Sequence, residues 1–114
     1  MGSEKILTPK APLEFIKSAV RGMHIYWTYH ANMRLNERSV SREEVVQSVE
    51  IYDIIESYPD DKYLPSYLVW TMHGGSILHI LFAADIREGN VRVVTAYLPD
   101  PLEWDADFKR RKKL

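Results

Sequence analysis

The chain of 114 residues contains no cysteine. Disulfides, thiol nucleophiles and thiolate metal ligands are excluded together, so any chemistry falls to His, Tyr, Thr, Arg or carboxylates. No run of 18 or more apolar residues exists, and the start lacks the basic-then-apolar order of a secretory signal, so the expected location is cytoplasmic with no membrane partner. Net charge is also nearly missing, at a formal −1, and the molecule as a whole is no magnet for polyanions. No glycine-rich phosphate loop follows a strand and no GxSxG elbow is present, which argues against nucleotide and serine hydrolases. The four histidines show neither HxxxH nor HExxH spacing, so no metal and no cofactor is expected.

What is present is an ordinary globular balance, 46% apolar and 27% charged, in a length that suits one core. Residues 1–10 carry no periodicity and read as a flexible terminus before a single domain over 11–114. From Pro12, the spacing of Leu13, Phe15, Ile16, Ala19, Val20 and Met23 predicts an amphipathic helix that stops at Gly22. His24 to Trp27 runs extended into a cap at Thr28. A helix from there to about Ser39, a three-residue elbow, and a capping box of Ser41 with Glu44 predict a second helix over about Arg42 to Glu50. Asp53 to Tyr58, Ser66 to Met72, Ile77 to Ala84 and Val91 to Leu98 then read as strands separated by short turns. The expected fold is α+β, with N-terminal helices, including the helix–elbow–helix, on one side of an antiparallel sheet of about four strands. Leu102, Trp104 and Phe108 suit a short final helix. The middle strands look apolar on both faces, so the tail or a second copy in a homodimer should cover the far side.

The stretch with chemical promise is Tyr29 to Arg38. His30, Arg34 and Arg38 recur at intervals of four, and at about 100° per residue each step advances the stripe only about 40°. Ala31 and Leu35 mark a neighbouring face that can point to a core. One narrow arc thus gathers an imidazole and two permanent cations. A solvated face paired loosely with Glu37, Glu43 and Glu44 would look much the same, since such surface pairs contribute at most about 1 kcal/mol.

Three further places compete. Val91 and Val93 are followed on the same face by Thr95 and Tyr97, a hydroxyl pair leaving an apolar strand; both are also simply good strand residues. His79 sits in an apolar run, where a hydrogen-bonded core histidine is the common outcome, and hairpin register decides which face it shares. Lys109 to Lys113, with Arg110 and Arg111, form a basic tail that suits either RNA contact or the solvated end of a helix.

Two arginines and a histidine suit a phosphodiester. Guanidinium forks match phosphate oxygens and stabilise charge growing on them, imidazole passes protons near neutrality, and RNA carries its own nucleophile in the 2′-hydroxyl. No metal is then needed. The run from Tyr29 to Ser41, the Leu78-His79-Ile80 strand and the ending Val94-Thr95-Ala96-Tyr97-Leu98-Pro99-Asp100-Pro101 together resemble the domain-of-unknown-function family 4258, over about Tyr26 to Trp104. That family is placed by analogy with RelE-like and BrnT-like ribonuclease toxins. The resemblance implies a RelE-like fold and metal-independent RNA cleavage, with His30, Arg34, Arg38, Thr95 and Tyr97 in catalytic positions; His79 and, in the basic tail, Arg110 and Arg111 are the candidates for contacting substrate. It implies RNA and an antitoxin-like protein as partners; a non-catalytic RNA- or protein-binding domain of the same fold is the alternative.

Overall fold

Residues 7–38 and 40–113 are described by the structure, a computed structural model. Residues 1–6 of the flexible terminus expected over 1–10, and the expected helix end at Ser39, lie outside them. Pro12 opens α1, Pro12–Arg21, where its missing N–H costs nothing; Glu14 in the first turn and Arg21 in the last complement the helix dipole. Ile16, Ala19 and Val20 face inward, and Gly22 closes the helix with its N–H on the Ser18 carbonyl at 3.0 Å. The chain then runs through β1, Ile25–Trp27. Thr28 caps α2, Tyr29–Arg38, by accepting the Ala31 N–H at 3.0 Å. At the head of α3, Arg42–Gln47, Ser41 and Glu44 form a reciprocal capping box with both bonds at 3.1 Å. The helix gives way to a single 3-10 turn at Val49–Ile51 rather than continuing to Glu50.

Four longer strands follow as a meander: β2 Asp53–Tyr58, β3 Ser66–His73, β4 Ser76–Asp85 and β5 Asn90–Tyr97. The sheet order is β1-β5-β4-β3-β2, and β1 pairs parallel to β5. The sheet is therefore five-stranded and mixed, where sequence predicted four antiparallel strands. Three residues hold barely one alternation, and the partner of β1 lies at the other end of the domain, so local pattern could not reveal it.

The helices pack on one face. Val69, Ile80, Phe82 and Val93 meet Ile16, Val20, Leu35 and Val45 there in one continuous core. The second face is covered by residues 99–113, not by a helix. Pro101 sits within a turn in which Leu102 N–H bonds the Asp100 carboxylate at 2.8 Å. The segment then folds back on itself: Asp105 N–H reaches the Arg110 carbonyl at 2.8 Å, Lys112 N–H reaches the Glu103 carbonyl at 2.9 Å, and Trp104 bridges Arg111. This strap places Trp104, 1% exposed, against the sheet. Leu102, expected to anchor a helix, is instead 79% exposed. Among the described residues no helix is long and apolar enough to cross a membrane.

Candidate functional site

A bulge decides which side chains of β5 are available. Leu81 pairs with Thr95 and Phe82 with Val93, so Val94 is an extra residue and the alternation changes sides there. Val91, Val93 and Ala96 are buried in the helix-side core; Thr95 and Tyr97 belong to the opposite face, not to that of Val91 and Val93 as a regular strand would have it. Tyr97 is directly opposite His79, which is opposite Trp70 on β3.

The α2 stripe divides into two stations. Residues eight apart rise about 12 Å along a helix, so His30 and Arg38 stand at its two ends. At the first, exposed His30 accepts from Arg34 Nε at 3.4 Å, which makes His30 Nε2 the lone-pair nitrogen, while Arg34 also pairs with Glu37 at 3.1 Å. At the second, β1 has already ended at Trp27, leaving the outer edge of β5 unpaired beyond Val93. Arg38 occupies that edge: its Nη1 donates to the Ala96 carbonyl at 3.3 Å and the Thr95 hydroxyl at 3.4 Å, and its guanidinium stands 5.8 Å from the Tyr97 ring centre. It has no carboxylate partner among the described residues. A cleft of about 550 Å³ opens here, lined by Arg38, Tyr97, Leu98, Asp100 and Glu103.

Behind the cleft lies a fixed hydrogen-bond chain. His79, fully buried, has Nε2 2.7 Å from the Phe108 carbonyl, which can only accept. The neutral ring must therefore carry its proton on Nε2, and Nδ1 accepts from the Tyr97 hydroxyl at 3.3 Å. Trp104 stands edge-on to the imidazole at 4.4 Å. Burial pushes the Tyr97 phenol upward, with Arg111 acting the other way, so it stays protonated at neutral pH. Burial also lowers the His79 pKa, opposed by the Phe108 carbonyl and Glu56. Both ring nitrogens of His79 are engaged, so this residue, expected to touch substrate, supports Tyr97 from within.

The basic tail is tied down as well. Arg111 holds Glu56 through two bonds of 2.7 and 3.1 Å and covers the Trp104 ring at 4.6 Å. Lys109 pairs with Asp53 at 3.1 Å over Trp70. Arg110 remains exposed on the strap. Neither Arg110 nor Arg111 lines the Arg38 cleft, whereas Asp100 and Glu103, to which the sequence assigned no site role, do. Their position three and six residues after Tyr97 was the available signal. Among the described residues no group of three or more His, Asp or Glu side chains could hold a metal ion.

A family model described as Domain of unknown function (DUF4258) matches residues 27–98. The chain belongs to this family. The DUF4258 match takes in α2, α3 and β2–β5, hence both stations of the stripe, and ends one residue after Tyr97, before the strap. Comparison with curated proteins gives no match, nor does comparison with solved structures.

A pH dependence of stability follows from His79. Its folded pKa lies below the ordinary 6.5, so the unfolded chain binds the proton more readily. The stabilising contribution is present above about pH 6.5 and is lost as pH falls toward the folded value, with a slope of at most about 1.4 kcal/mol per pH unit. The Glu56 carboxyl, held low first by its bonds to Arg111, acts only at lower pH, from about 4.5 downward. The melting temperature of the wild type should accordingly drop between pH 6.5 and 5, and that of His79→Asn should drop less. Equal profiles for the two proteins would show that His79 is not the titrating group.

Proposed function

We propose that this domain is a metal-independent, toxin-type endoribonuclease acting on single-stranded RNA laid along α2. The observation that carries the reading is Arg38, a guanidinium without a carboxylate partner among the described residues, set beside Thr95 and Tyr97 at the mouth of a cleft. Its free donors suit a phosphate, and a tyrosine beside a cleft suits a splayed-out base. The 12 Å span separates roles that sequence reading assigned to one phosphate. In this scheme Arg34 grips the scissile phosphate beside His30, and its exposed pairing with Glu37 is weak enough to yield to an anion. The 2′-oxygen attacks phosphorus as its proton passes to His30 Nε2. The P–O5′ bond breaks, giving a 2′,3′-cyclic phosphate and a 5′-oxygen that takes a proton from water. The Arg38 station holds the adjoining nucleotide.

A second reading, a non-catalytic domain for RNA or an antitoxin-like protein, is favoured by Glu37 beside Arg34 and by the carboxylates in the cleft. Incubation of the purified protein with a labelled unstructured RNA in excess EDTA separates the two. Cleavage with cyclic-phosphate ends is the expected result. Intact RNA under conditions where binding is saturated would leave the binding domain in its place.

A further inference from the structure

The proposed phosphate contact uses only Arg38 among the residues lining its cleft. Asp100 and Glu103 line it as well. The Asp100 carboxylate is oriented by the Leu102 N–H at 2.8 Å. The Glu103 backbone is pinned on both sides, its N–H on the Asp100 carbonyl at 2.9 Å and its carbonyl on the Lys112 N–H at 2.9 Å. Its carboxylate has no ion pair or hydrogen bond among the described residues. One guanidinium and two carboxylates thus line a single cleft of about 550 Å³, together with the half-buried Tyr97 ring and exposed Leu98.

A bare phosphate meets repulsion in such a cleft. A ligand that is anionic at one end and carries adjacent N–H donors at the other satisfies both kinds of group. Among the RNA bases only guanine places two donors, N1–H and the N2 amine, side by side on its Watson–Crick edge, where one carboxylate takes both. Adenine and cytosine set an acceptor beside their amine, and uracil flanks its single N–H with carbonyls, so each turns lone pairs toward a carboxylate. Tyr97 and Leu98 supply apolar surface for the plane of the base.

Resting on the RNA reading above, we propose that the cleft between Arg38 and the Asp100–Glu103 turn is a guanosine subsite that selects the nucleotide adjoining the cleaved phosphate. The phosphate lies on Arg38, and Glu103 accepts from N1–H and the N2 amine. Asp100 holds the turn that aims Glu103.

The test is binding, measured by calorimetry and by amide shifts of residues 97–104 in the intact chain. The probes are GMP, IMP, AMP, CMP and UMP, then the oligonucleotides UUGU and UUAU. GMP should bind about tenfold more tightly than AMP, with IMP between them because it lacks the N2 amine. Glu103→Gln should bring GMP and AMP within about twofold of each other, since its amide keeps one acceptor and turns its NH2 donor toward the other guanine N–H. UUGU should keep the preference over UUAU. Equal affinities, no binding of GMP, or a preference unchanged in Glu103→Gln overturns the subsite. Discrimination among mononucleotides but not oligonucleotides overturns its assignment to RNA. RNA cleavage with no guanine preference removes the subsite and leaves the nuclease, whereas guanine-selective binding without cleavage does the reverse.

Discussion

Trp104→Ala is expected to lower the unfolding free energy by about 3 to 5 kcal/mol, the usual range for removing a large aromatic from a packed interior. Trp104 is 1% exposed although it lies on a segment of turns outside any regular element. Its ring meets His79 edge-on at 4.4 Å and carries the Arg111 guanidinium on its face at 4.6 Å. Removing it opens a void between strap and sheet and admits water to the bond between His79 and the Phe108 carbonyl. Domains of this size are stable by only about 5 to 15 kcal/mol, so the loss is a large share of the whole. Urea unfolding followed by fluorescence and by circular dichroism measures it. A change under about 1 kcal/mol would mean that the strap lies on the sheet without being part of the cooperative unit. Leu102→Ala is the internal contrast, because that side chain is 79% exposed and should change stability little.

The contrast between Trp104 and Leu102 shows where the sequence was legible. Features set by neighbours along the chain could be read: Pro12 and Gly22 bounding α1, the Thr28 cap, the Ser41–Glu44 box and the turns of the meander. Features set by distant partners could not. The parallel pairing of β1 depends on where β5 ends up, and the side of the sheet taken by Thr95 and Tyr97 depends on one extra residue, Val94, that no pattern within β5 marks. The strap resembled a helix because Trp104 and Phe108 are four apart; the positive φ of 59° at Phe108 breaks the helical path. For the candidate site, residue types and helical spacing pointed to His30, Arg34 and Arg38, but spacing alone said nothing of the reach from Arg38 around the free edge of β5. Asp100 and Glu103 escaped notice because their chemistry depends on sharing a cleft with a cation.

His30→Ala is expected to reduce kcat for RNA cleavage by about 10²- to 10⁴-fold, the range for losing a general base, with KM little changed. The side chain is exposed and its one side-chain hydrogen bond among the described residues is with Arg34, so the fold should be intact and its melting temperature close to wild type. Arg38→Ala should behave differently. Arg38 stands two turns further along α2, against Thr95 and the Ala96 carbonyl, and its removal should act mainly by raising KM, with Arg38→Lys recovering little because a point charge cannot reproduce the planar fork. The split between the two variants reads the geometry directly. If both lowered kcat alike and left KM alone, the two ends of the stripe would have to converge on one phosphate, by bending of the RNA or by movement of α2. Cleavage at the wild-type rate in His30→Ala would remove the imidazole from the chemistry and leave α2 as a surface for holding the RNA backbone.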